Sequence, residues 1–249
     1  MDAAGLDGWM DTAAALPDLD ETVLATTRYL QALTELDDES IRRPSGLPGW
    51  SRAHVVAHLS RNADAFAQVV RQASAGEPAQ MYASSGDRDA EIEQTVATLD
   101  LEALVEDAIT SSARLTEAFW TCTADPSTPY SRVPGGEVFP LHTLGRRRRT
   151  EVEVHHCDLD CGYLPTEWPV DFARGLVKQR QDELAALPGG GPSMVLSSTD
   201  VEGLWKLGPG QGPEIHGAVG DLGWWLVGRG GGRGLTCTPG DLPDLGRWR

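Results

Sequence analysis

The sequence predicts a mainly α protein, a four-helix bundle followed by a small α/β (α+β) domain. Three observations predict it. Apolar residues recur at three-to-four spacing through long stretches of the first two-thirds. Gly/Pro-rich breaks separate those stretches. Beyond about residue 166 the pattern shortens into β-like runs between turns. Residues 1–165 are therefore expected to form the bundle and 166–249 the small domain.

The first helix is read from Leu19 to Leu36, with Val23, Leu24, Tyr29, Leu30 and Leu33 as its apolar stripe. Pro44-Ser45-Gly46-Leu47-Pro48-Gly49 breaks the chain, and Ser51 is placed as an N-cap. A second helix runs from about Arg52 to Ala73 and buries Val55, Leu59, Ala63, Phe66 and Val70. A Gly/Pro/Ser-rich stretch near Gly76 to Gly86 interrupts the pattern. The third helix fits Leu101 to Thr121, with Leu104, Val105, Ile109, Leu115 and Phe119 inward. Asp125 to Gly136 reads as loop, and Pro140 suits the first turn of a fourth helix that continues to about Asp160. Four long antiparallel helices make a bundle. In the last third, Pro169 to Leu187 reads as a helix and Gly189-Gly190-Gly191-Pro192 ends it. Short strands follow at Ser193–Ser197, Gly203–Leu207 and Glu214–Ala218, then a helix from Val219 to Val227.

Composition removes whole classes of function. The chain has 249 residues, 37 acidic and 21 basic, for a formal charge of −16 and a pI near 4.7. Such a chain has no net attraction for phosphate backbones or anionic lipid, so neither nucleic acid nor membrane is an expected partner. Met1-Asp2-Ala3-Ala4-Gly5 offers neither the basic stretch nor the apolar segment of a signal peptide. No apolar run approaches the ~20 residues of a transmembrane helix. Cys122, Cys157, Cys161 and Cys237 are unevenly spaced and read as reduced thiols. A cytoplasmic protein, monomeric or weakly homo-oligomeric, is expected.

Only six histidines occur, so their placement is informative. His54 and His58 lie four apart on the second helix and project from one side of it. Glu151 and His155 share the same spacing on the fourth, and Asp158 extends that face. A carboxylate and an imidazole one turn apart can grip one cation, and a histidine from a neighbouring helix completes a three-ligand site open to substrate. The proposed set is His58, Glu151 and His155, with His54 in reserve. Spacing alone is weak, because Glu-x-x-x-His pairs arise by chance and helix histidines are more often structural. The company is informative: Glu151 and Glu153 follow Arg146 to Arg149 and precede two histidines, which suits neither a core stripe nor a solvated face.

Gly49-Trp50-Ser51-Arg52-Ala53-His54-Val55-Val56-Ala57-His58-Leu59, continuing through Arg61-Asn62-Ala63, resembles the second-helix signature of the mycothiol-dependent maleylpyruvate isomerase family. Glu151-Val152-Glu153-Val154-His155-His156-Cys157-Asp158-Leu159 resembles its second signature, and Trp225-Leu226-Val227-Gly228-Arg229 matches a C-terminal Trp-Leu-x-Gly-Arg segment. The family belongs to the DinB-like four-helix bundles. The resemblance implies a divalent metal, zinc before others, on His58, Glu151 and His155, and a functional arginine at Arg229. There are departures: Thr150 stands where relatives often carry arginine before the metal-binding glutamate, and Gly230-Gly231-Gly232 makes the C-terminal segment short and glycine-laden. These bear on substrate identity.

The implied cofactor is mycothiol, a small cysteine-containing thiol. Zinc on two neutral imidazoles and one carboxylate keeps a net charge of +1, which one thiolate neutralises. A free thiol has a pKa of about 8.5 and is mostly protonated at neutral pH, so the metal removes that penalty. In the isomerase reaction the thiolate adds to the cis double bond of maleylpyruvate, the resulting single bond rotates, and loss of the thiol gives fumarylpyruvate. No redox change occurs. The substrate is a small anionic electrophile, and arginine forks match its carboxylates; Arg229 is the expected catalytic group, holding a carboxylate or the enolate. Arg146 to Arg149 are a second possibility, set against surface pairing with the surplus acids. One alternative is a mycothiol-dependent S-transferase or thiol-exchange enzyme; another is a non-catalytic metal-binding bundle.

The remaining features have competing readings. Cys157 and Cys161 lie far round the helix from Glu151 and His155 and read as buried structural thiols. His156 is off the ligand face and serves packing or surface. Asn62 orients a ligand or merely packs; Asp158 bonds a ligating imidazole or is a surface acid. No Gly-x-Ser-x-Gly elbow is present, so a serine hydrolase finds no support.

Overall fold

The computed structural model describes residues 16–245, so the opening Met1–Gly5 lies outside it. The chain divides into two compact units, Met1–Cys161 and Gly162–Arg249. The first is built on α1 (Leu19–Leu33), α2 (Arg52–Ser74), α3 (Ser85–Thr98), α4 (Leu101–Trp120) and α5 (Leu144–Asp158). The mainly α architecture with a small mixed second unit is as the sequence predicts.

The four bundle helices close a ring in which α2 packs on α4, α4 on α1, α1 on α5 and α5 on α2, while α3 lies against α2. They do not alternate in direction as expected. Arg61 and Arg114 pair with Asp107 and Asp64, so α2 and α4 advance together. Thr22 bonds the Gly145 carbonyl and Arg28 pairs with Glu153, so α1 and α5 also run parallel. Across the α2–α5 seam the numbers oppose, His58 facing Glu151 and Asn62 facing Arg148, and α1 opposes α4 in the same way, Leu19 clustering with Leu115 and Leu33 with Leu104. The reason is α3, which the sequence reading left in an interrupted stretch. Capped by the Ser84 hydroxyl, which accepts from the Asp87 N–H, it carries the chain back to the end of the bundle where α2 began.

The α2 stripe holds in full: Val55, Leu59, Ala63, Phe66 and Val70 are all buried. The α1 stripe does not. Val23 and Leu24 are exposed, and the buried face is Leu19, Thr22, Ala25, Tyr29 and Leu33. Thr22 reaches that face because its hydroxyl is satisfied by the Asp18 and Gly145 carbonyls. On α4, Ile109 is half exposed, and Ala108, Ser111 and Ser112 fill the inward positions between Leu104 and Leu115. Small residues there suit the close α2–α4 packing, a role that apolar counting undervalues. At the start of α5, a Cβ on Gly145 would lie 2.3 Å from the Pro17 carbonyl oxygen, so only glycine fits where the chain leading into α1 crosses.

Pro140 is not in the fourth helix. It ends β3 (Val138–Pro140), which pairs antiparallel with β2 (Pro129–Ser131) inside the stretch expected to be loop, and α5 starts only at Leu144. β1 (Ala79–Gln80) adds to β2 in parallel.

The second unit joins α6 (Val170–Ala185) and α7 (Val219–Leu226) to a four-stranded sheet in the order β5-β4-β6-β7. Its strands are β4 (Met194–Ser198), β5 (Leu204–Leu207), β6 (Glu214–Gly217) and β7 (Thr236–Thr238), of which the sequence reading missed only the last. Met194, Leu196, Leu207 and Ile215 are buried, alternating along their strands as a half-covered sheet requires. Trp168 packs edge-on against Phe172 and Trp224.

Candidate metal centre

α5 carries so many charges that it has hardly any apolar stripe, yet most of it is buried. The stripe facing α2 is polar: Arg148, Glu151, His155 and Asp158, at steps of three, four and three, project from one side of the helix. α2 meets that stripe with His58, Leu59 and Asn62.

The register between the two helices is fixed at both ends of the seam. The Arg52 guanidinium donates to the Leu159 carbonyl at 2.7 Å and also bonds the Asp160 carbonyl. The Gly46 N–H donates to the Asp158 carbonyl at 2.7 Å. At the other end, about three turns away, Arg148 Nη1 donates to Asn62 Oδ1 at 2.7 Å and to the Leu59 carbonyl at 2.9 Å. Burial draws the Arg148 pKa down only to about 10, so it stays charged at neutral pH.

Between these ties, His58 Nε2 lies 3.1 Å and His155 Nε2 3.5 Å from the same oxygen, Glu151 Oε2. One donor atom from each of the three residues falls within 4.8 Å of the other two. Zinc bonds of about 2.0–2.1 Å at tetrahedral angles would separate ligand atoms by about 3.3 Å, so the observed spacings suit such an ion. The chemistry of the donors suits it too. Burial pulls the His58 pKa down to about 4, keeping the imidazole neutral. Burial opposes the charge on Glu151, but His155 and His58 outweigh it and hold the carboxyl well below its usual range. Burial likewise opposes charge on His155, while Asp158 and Glu151 lift its pKa above the ordinary imidazole value. Asp158, fully buried, accepts from His155 Nδ1 at 2.9 Å, leaving Nε2 to face Glu151. Of the two readings of Asp158, the structure supports the bond to imidazole.

The other singled-out residues fall elsewhere. His54, the reserve ligand, is taken up at the start of α2, where its Nδ1 accepts from the Ser51 N–H at 3.2 Å and lies 2.7 Å from the Ser51 hydroxyl. Its Nε2 faces Glu93 at 3.6 Å. Asn62 serves Arg148. The four arginines do not pair off as a surface group: Arg146 is exposed, Arg147 lies 3.6 Å over the Phe139 ring, and Arg148 and Arg149 are buried. His156 is a packing residue, buried edge-on to Tyr29. Cys157 is buried as expected, whereas Cys161 is only partly covered. Arg229 belongs to the second unit, where its Nη1 donates to the Val227 carbonyl at 3.1 Å and its N–H to the Trp224 carbonyl.

Three neighbours went unread in the sequence. Trp50 packs its ring 5.6 Å from His58. Arg88, on α3, brings Nη2 to 3.3 Å from His58 Nδ1. The buried Tyr82 hydroxyl, pushed up to about 12 chiefly by burial and then by Glu151, faces the same charges. Trp50 stood inside a quoted motif, but no local pattern marks Arg88 or Tyr82, which the fold of α3 and β1 delivers to the seam.

A bundle that gathers two imidazoles and a carboxylate between its second and last helices defines a class, the helical-bundle proteins with a three-donor metal-type site. Residues 22–160 match the family model described as the mycothiol maleylpyruvate isomerase N-terminal domain, more than half of the chain. The chain belongs to this family. It is also similar to the crystal structure of a mycothiol-dependent maleylpyruvate isomerase, at 26% identity and a TM-score of 0.83, over 96% of this chain and 97% of that one. A histidine-to-alanine mutant of a mycothiol-dependent maleylpyruvate isomerase matches with a TM-score of 0.82 over the same shares, again at 26% identity. No curated protein matches the chain. Among the described residues, no helix is long and apolar enough to cross a membrane.

Proposed function

We propose that this protein is a zinc- and mycothiol-dependent cis–trans isomerase of the maleylpyruvate-to-fumarylpyruvate type, working in the cytoplasm. The observation that carries the reading is the convergence of His58 Nε2, His155 Nε2 and Glu151 Oε2 in a chain of this family. These residues would hold the metal, zinc or another divalent ion. Bound there, it would supply the chemistry of keeping a thiol as thiolate at neutral pH, able to add to and leave a cis double bond.

The chain's own residues do the rest. Glu151 contributes one negative charge and the two histidines none, so a dication held there keeps a net positive charge for an anionic sulfur. Asp158 fixes the His155 tautomer and ring orientation. Trp50 packs its ring against His58 at one side of the seam. Arg229 is assigned to the electrophile, as the fork that takes a carboxylate or the developing enolate.

The test is direct. The purified protein should convert maleylpyruvate to fumarylpyruvate only when both zinc and mycothiol are present. A covalent thiol adduct with maleylpyruvate left untouched would instead identify an S-transferase.

Two variants probe the supporting groups. Asp158→Ala is expected to weaken zinc binding by about 10–100-fold in a chelator competition, since His155 loses the group that orients it; unchanged affinity would remove Asp158 from the site. Arg229→Ala should keep its zinc and lose most turnover, and unaltered kinetics would defeat its catalytic role.

A further inference from the structure

A histidine that gives Nε2 to a cation carries its proton on Nδ1, and that N–H normally points at an acceptor. His155 obeys this, with Asp158 at its Nδ1. His58 does not. The group 3.3 Å from its Nδ1 is the Arg88 guanidinium, which has donors only. With His58 serving as a ligand, Nδ1–H and Nη2–H would face each other as two donors, and Arg88 would have to find an acceptor elsewhere.

Its other partner faces solvent. Arg88 Nη1 contacts Asp89 at 3.1 Å, a carboxylate on the adjacent residue that is largely exposed and hydrated, whereas the Arg88 side chain is mostly covered. A positive charge beside a ligand also opposes a cation, so its position needs a compensating anion.

We propose that Arg88 is the anion-binding residue of this centre, its guanidinium leaving His58 Nδ1 to take a carboxylate of the electrophile. The assignment rests on the zinc–thiol reading above and adds to it a second arginine, on α3, distinct from Arg229. It explains why a helix outside the four-helix ring is held against α2 beside the ligands. It also makes zinc loading and carboxylate binding cooperative, because fixing the His58 proton on Nδ1 frees the guanidinium.

The probe is maleate, a cis-dicarboxylate, titrated calorimetrically into zinc-loaded wild type, R88Q and R88K, with uncharged dimethyl maleate as control. R88Q should keep its zinc, bind maleate about 10–100-fold more weakly, and leave dimethyl maleate unaffected. R88K, which retains the charge without the fork, should recover part of the loss. R88Q should also hold zinc more tightly against a chelator, since a like charge has gone. Equal maleate affinity in wild type and R88Q overturns the proposal, as does loss of zinc from R88Q, which would make Arg88 a prop for His58. The two readings fail separately. Wild type that isomerises maleylpyruvate with KM unchanged in R88Q removes Arg88 alone. Arg88-dependent maleate binding without isomerisation removes the isomerase and leaves the anion site standing.

Discussion

Alanine at His58, Glu151 or His155 is expected to strip most of the bound zinc and, with it, turnover. The three donors sit within 4.8 Å of one another and no fourth histidine, cysteine or carboxylate joins them among the described residues, so no side chain there can replace a lost one. Losing a group that only orients a ligand costs about 10–100-fold in affinity, and losing the ligand itself should cost at least the upper end of that range. Glu151→Gln separates charge from shape, because it keeps the size of the side chain and removes the negative charge. Elemental analysis of the purified variants reads the result, and full zinc in all three would show the ligand assignment to be wrong. Acid should empty the site as well, since ligands bind deprotonated. His155, whose pKa is raised, takes up its proton first as pH falls through the imidazole range, and His58, near 4, takes it last. Zinc retention should therefore begin to fall while His58 is still neutral.

Arg148→Ala is expected to be the most damaging change away from the ligands. Arg148 is 1% exposed, and it ties α5 to the Leu59 carbonyl and Asn62. Truncation leaves a cavity and removes the donor from a buried amide oxygen, together about 3 kcal/mol. In a chain of this size that lowers Tm by roughly 6–12 °C. Arg148→Met tests the same site without the cavity. If the tie matters through its hydrogen bonds, methionine should recover volume but not zinc affinity, because the turn carrying Glu151 loses its anchor. Thermal melting with a chelator titration distinguishes the cases, and an unchanged Tm for the alanine variant would show that the tie contributes nothing.

Much of this was legible before any coordinates. The α2 stripe, its Ser51 start and the shared face of Glu151 and His155 follow from helical spacing, because side chains four apart on a helix share a face wherever the helix sits; the joining of His58 to that pair is what the family resemblance implies. The α1 and α4 stripes were less legible: Thr22, Ala108 and Ser111 take inward positions that Val23, Leu24 and Ile109 would win on hydrophobicity alone. Tertiary closeness favoured small or internally satisfied residues there. Arg146 to Arg149 leave substrate binding and surface pairing both open in the sequence, and the structure buries two of them, Arg148 and Arg149.

By itself, then, the sequence determined which residues could share a face and which chemistry they could perform, since both depend on local periodicity and donor type. Only the tertiary structure decided the direction of each helix and the arrival of Arg88 and Tyr82 beside the ligands. Those outcomes depend on where α3 returns the chain, and a return path is set by long-range packing that no local pattern encodes.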